Sequence, residues 1–172
     1  MEERSVSAIA VFNYAHSYAS SANALGQIKV EASHWNAPVY YLYFHAIELY
    51  LKAYLVAHGR TLEDLRKRFS HRVRALAEEA KPLGLRLRFD DEEAIRLMAD
   101  TDNVISARYI RIGTHTRLPF SSYAETCIVL HEQVGPRAYE GSGITRIPVL
   151  ELPEDMDWRS PLRNIGKNSD EF

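Results

Sequence analysis

The segment "WNAPVYYLYFHAIELYLKAYLVAHG", Trp35 to Gly59, constrains the fold more than any other part of the chain. Asn36 stands at an N-cap position, Pro38 falls in the first turn, and Gly59 sits where a C′ residue would end a helix. Tyr40, Phe44, Ile47, Leu51 and Leu55 share one face. Tyr43, Ala46, Tyr50 and Tyr54 cover a second. A helix that is apolar nearly all round has to be surrounded, so this one is expected at the centre of a bundle.

Helical periodicity runs through the segments around it. One helix is expected from about Val6 to Lys29, with a break at Gly26. A short one should start after Thr61, three residues before Asp64. Another should start at Ser70 as N-cap, carry Val73, Leu76, Ala77 and Ala80 as its apolar stripe, and end at Lys81-Pro82. The acids Asp90 to Glu93 suit the start of a helix with Ala94, Leu97, Met98, Val104 and Ile105 inward and Gly113 as its stop. Ser122 and Glu125 have capping-box spacing for a last helix that Gly135-Pro136 would end. The expected architecture is therefore all-α: an up-and-down bundle of about five helices over residues 1–135. The stretch 136–172 shows no helical period and reads as an irregular C-terminal arm, able to pack through Ile147, Val149, Leu150 and Trp158.

Composition sets few limits on function. The 172 residues are 46% hydrophobic and 26% charged, in the range of a soluble globular chain. The formal net charge of -2 gives no global pull toward nucleic acid, so contact with RNA or DNA would need a local basic patch. Three clusters qualify: Arg66-Lys67-Arg68 with Arg72 and Arg74, then Arg86 and Arg88, then Arg108, Arg111 and Arg117. The first two are interspersed with acids and read as solvated surface. Cys127, the single cysteine, falls among apolar helix positions and reads as core. No leader and no membrane span are expected, because "APVYYLYF" is the longest apolar run; a cytoplasmic protein follows. The seven histidines contain no His-x3-His pair, "HAIE" inverts the Glu-x-x-His order of di-iron bundles, and no glycine-rich phosphate loop precedes a helix. Neither a metal nor another cofactor is expected.

His45, Glu48 and Lys52 interrupt the central helix at i, i+3 and i+7, so they share a stripe. Such a stripe is either a solvated strip or an enclosed one. An enclosed Glu48 would need a cation, and Arg108, inward-facing by its spacing from Val104 and Ile105, is the partner expected from sequence. Tyr40, Tyr41, Tyr43, Tyr50 and Tyr54 exceed what one small bundle should enclose, and some of them are expected at a dimer interface.

Three motifs occur in order along the chain. They are "YFHAIELYLKAYLVAHG" with its Ala46-x-Glu48-Leu49-x-Leu51-Lys52 core, "SHRVRALAEEA" opening on Ser70-His71, and "SARYIRIGTH". Together, over about Val39 to His115, the chain resembles a HEPN domain. The resemblance implies a helical bundle that commonly forms a homodimer. In the nuclease branch, an arginine followed after four to six residues by a histidine cuts RNA without metal at the dimer cleft. Other branches bind nucleotides, RNA or protein partners, and some members pair with a nucleotidyltransferase as a toxin–antitoxin set.

By that resemblance Arg108 and His115 are the catalytic candidates, at the longest allowed spacing. Arg108 would clamp phosphate oxygens, and His115 would exchange a proton with the 2′-hydroxyl or the leaving oxygen. His45, Glu48, Lys52, Tyr109 and Arg111 would line or organise the cleft. Tyr109 stands where active nucleases usually have a small polar residue, which favours a non-catalytic or weakly catalytic binding module over a metal-independent endoribonuclease. Arg66 and His71 also satisfy an Arg-x4-His spacing, at a place where the resemblance attaches no meaning to it.

Overall fold

A computed structural model describes residues 6–101 and 118–153 of the chain. Among them are six α-helices and no strand: α1 (Ala8–Gln27), α2 (Ala37–Ala57), α3 (Leu62–Phe69), α4 (Val73–Ala80), α5 (Phe89–Thr101) and α6 (Phe120–Tyr139). A 3-10 turn, Lys81–Leu83, follows α4. The architecture is all-α. The short helix expected after Thr61 is α3, an element of its own.

The central helix takes the place its composition demands. α1 and α6 pack along α2 and against each other, α4 packs on α2, and α5 packs between α4 and α6. Tyr40, Tyr43, Phe44, Ala46, Ile47, Tyr50, Leu51 and Leu55 are all buried. Of the five tyrosines, four are core residues and Tyr41 is partly buried. Tyr40, Tyr43, Tyr50 and Tyr54 are buried within the single chain, and each hydroxyl has a partner inside it. Tyr40 donates to the Leu118 carbonyl, Tyr43 to Asn23 Oδ1 and Tyr54 to the Leu83 carbonyl, while Tyr50 meets His131 Nδ1. One small bundle can enclose this helix because every phenol it buries is hydrogen-bonded.

Helix ends follow tertiary packing where it competes with local signals. Thr61 caps α3 as expected, its Oγ1 accepting from the Asp64 N–H. Gly59, with φ 84°, closes α2. Asn36 precedes α2 but makes no capping hydrogen bond through its side chain. Gly26 does not interrupt α1; it lies buried inside the helix, where a Cβ would sit beside Val39 and Phe120. Ser70 is the last residue of the α3 turn, at φ 51°, and Arg72 takes the position before α4. Pro119, not Ser122, precedes α6.

Nor does Gly135-Pro136 stop α6. The helix continues one turn to Tyr139, because Ala138 is buried and Tyr139 packs edge-on to Phe12 and donates to Asn13 Oδ1. The carbonyl that loses its partner to Pro136 is that of Glu132, an exposed residue, so the cost of the proline is reduced.

The described part of the arm, residues 140–153, lies irregularly and packs on the bundle in part. Leu150 is buried, Ile147 is partly buried, and Val149 is exposed; Trp158 is outside the described residues. His131 Nε2 bonds the Pro148 carbonyl at 2.8 Å, and Asn23 donates to the Glu151 carbonyl at 2.7 Å. Gly135 permits the approach: a Cβ there would sit 3.1 Å from Ile147 and 3.3 Å from Phe12. A Gly135→Val variant is therefore expected to lose about 1–3 kcal/mol by overpacking, read from its urea midpoint, and to be cut by protease near residue 147 before the bundle is cut.

The same seam sets an acid limit. Burial lowers the pKa of His131 below its ordinary 6.5; the Pro148 carbonyl opposes this and nearby His16 adds to it. Burial lowers that of His16 as well, its ring 5.3 Å from that of His131. A histidine depressed in the fold is protonated first in the unfolded chain. Its contribution is thus complete above about pH 6.5 and is lost as pH falls toward the folded value. The urea midpoint should drop between about pH 7 and pH 5, and less steeply in His16→Gln.

Candidate functional site

The stripe on α2 is enclosed. Glu48 is 1% exposed and Lys52 6%, while His45 is half-buried. Lys52 Nζ lies 2.5 Å from Glu48 Oε1, one helical turn away and in the favourable order. The second partner comes from another element. His71 Nδ1 lies 3.1 Å from Glu48 Oε1 and 3.0 Å from Oε2. The carboxylate is thus held between an ammonium on its own helix and an imidazole from the α3–α4 turn, as a buried charge requires.

The turn that delivers His71 is tightly built. Leu65 and Phe69 bury the inner face of α3. Ser70 takes a positive φ and reverses the chain. The Arg72 N–H bonds the Phe69 carbonyl at 2.9 Å. Its guanidinium reaches back to the carbonyls of Arg68 and Phe69, covering the end of α3. Arg68 lies over the Phe69 ring. Val73 and Leu76 then anchor α4 in the core. His71 is fixed at both ends of a short turn, yet its side chain stays 33% exposed. Its Nε2 has no hydrogen-bonding partner among the described residues.

Of the residues expected at the site, the structure brings Glu48 and Lys52 into contact. His45 lies on the same stripe but packs between aromatic rings, 4.4 Å from Tyr18 and 5.9 Å from Tyr41. Arg108, Tyr109, Arg111 and His115 lie outside the described residues, and so does the expected Glu48–Arg108 pair. His71 is the residue that sequence reasoning passed over. Its signal was present in the Ser70-His71 start of the second motif, but nothing in the sequence measures its distance to Glu48.

Two further polar centres hold the frame. Asp91, fully buried, accepts from the Arg88 N–H, from the Arg88 guanidinium twice and from Thr126 Oγ1, tying α5 to α6. These contacts raise the Arg88 pKa, chiefly through the hydrogen bonds to Asp91. Burial pushes the Cys127 thiol well up, which suits a core residue and not a nucleophile. No group of three or more metal-ligating side chains occurs among the described residues, and no described helix is long and apolar enough to cross a membrane.

Comparison of the chain with family models, with characterised proteins and with solved structures gives no match.

Removing Lys52 would leave the buried carboxylate with the histidine alone. Lys52→Met is expected to cost about 3 kcal/mol in a urea titration, and Glu48→Gln combined with Lys52→Met should recover most of it. Equal losses in the single and the double variant would mean that the ammonium does not balance Glu48.

Proposed function

We propose that the chain is a HEPN-like module that binds a nucleotide, RNA or a protein partner as a homodimer, with little or no catalytic activity. One observation carries the reading. Two of the motifs behind the resemblance, twenty-odd residues apart along the chain (~5.4 Å of rise per helical turn rules out contact along one helix), meet at one carboxylate. Glu48 belongs to the Ala-x-Glu-Leu-x-Leu-Lys core of α2, and His71 to the Ser-His start of the next motif. Motifs that act as a unit are expected to meet in this way, whereas independent chance matches are not. Glu48, already engaged by two partners, suits a frame that shapes a site better than a free catalytic base. The module would work in the cytoplasm, in keeping with a lone buried cysteine.

The competing reading is a metal-independent endoribonuclease, favoured by the Arg108-x6-His115 spacing. An RNA cleavage assay in EDTA, on the wild type and on His115→Ala, separates the two. The expected outcome is a dimer by sedimentation, without cleavage across a range of RNAs. Cleavage that survives EDTA and disappears in His115→Ala would replace the binding module by the nuclease.

A further inference from the structure

We infer that His71 is the ligand-contacting residue of the Glu48 centre, presenting Nε2 to an oxygen of a phosphate-bearing ligand, with Glu48 as its positioning residue. The inference rests on the proposed reading of this centre as a binding site and adds the residue that meets the ligand.

The geometry has three parts. First, both oxygens of a 1%-exposed carboxylate face Nδ1, so the proton of the neutral ring is held at Nδ1 and the lone pair is directed to Nε2. A carboxylate that fixes the tautomer and orientation of an imidazole is a recurring way to prepare its other nitrogen for contact. Second, Nε2 has no partner among the described residues, in a side chain one-third exposed on a turn that is otherwise tied down. A histidine kept only to satisfy Glu48 would do so equally well with its outer edge covered.

Third, the surroundings select an anion. From Arg60 to Arg74 the chain carries six arginine and lysine residues against two carboxylates, in a protein whose net charge is -2. Lys67 pairs with Glu63, and Arg60 pairs with Glu79, which Arg68 approaches at 3.8 Å. Arg66 and Arg74 have no ion pair among the described residues. Glu48 and Lys52 cancel each other. A proton added to Nε2 therefore creates a local positive charge that nothing in the centre neutralises, and a phosphate oxygen would accept the hydrogen bond from it. Exposed guanidinium groups match phosphate geometry, which favours phosphate over a simple carboxylate. Among the described residues, Glu48 is the charged group in contact with His71 and Lys52 shares that carboxylate, while Arg68, Arg72 and Arg74 are its charged neighbours along the chain.

The test uses the full chain with two probes, adenosine monophosphate and a single-stranded oligoribonucleotide, so that a free nucleotide and a polymer phosphate are told apart. His71→Asn places an amide where Nδ1 stood, keeps a donor to Glu48 and removes the outer nitrogen. His71→Gln restores a donor at the outer position. The wild type should bind at least one probe, and His71→Asn should bind it about tenfold more weakly, with an unchanged urea midpoint. His71→Gln should regain part of the affinity. If the wild type binds and His71→Asn matches its affinity, the inference is overturned and the binding reading stands. If the wild type binds neither probe, the phosphate-binding centre is overturned along with the inference.

Discussion

Burial of α2 is the constraint on which the rest of the structure depends. A helix with apolar residues on every side cannot rest on a single neighbour. α1, α4 and α6 close around it, and four of its five phenols and its one carboxylate go into the core with it. Each polar atom carried inward needs a partner, since burial without one costs kilocalories, and most find it on a different element. The tyrosine hydroxyls find theirs on α1, on α6, at Leu83 and at Leu118. Glu48 finds its own on the α3–α4 turn. These bonds join elements that hydrophobic contact alone would leave free to slide.

Much of this architecture was legible in the sequence, and the exceptions are physical. Periodicity placed α2, α3 and the apolar stripe of α4 because those patterns are local and strong. Thr61 worked as a cap because its partner, the Asp64 N–H, is three residues away. Ser70 and Pro136 misled for one common reason. Each is a local signal, and at each the chain obeys a long-range contact instead. Phe69 and Val73 pull the turn inward around Ser70, and Tyr139 and Ala138 carry α6 past its proline.

The site was legible in part. The spacing of Glu48 and Lys52 gives their contact directly, because one helical turn separates them. The sequence left the stripe open between solvated and enclosed, and the burial of Glu48 and Lys52 decides for enclosure. The partnership with His71 could not be read, since the distance between residues 48 and 71 is set by how α3 packs, not by spacing along the chain. A histidine and a carboxylate are ordinary surface residues until the fold makes one of them inaccessible.

The two-partner grip on Glu48 has a consequence for how the bundle chooses its register. A helix as uniformly apolar as α2 would bury nearly as much oily surface if it slid by one turn, about 5.4 Å, along its neighbours. Hydrophobic contact alone therefore discriminates poorly among such packings. After that slide Glu48 would still be inside, but His71 would stand at the level of Phe44 and His45 or of Leu51 and Lys52, and the carboxylate would lose half of its grip. The penalty for that misalignment falls on the wrong arrangement, not on the native one. In this way a single acidic residue acts as an index mark, allowing a nearly featureless hydrophobic rod to be seated in only one position.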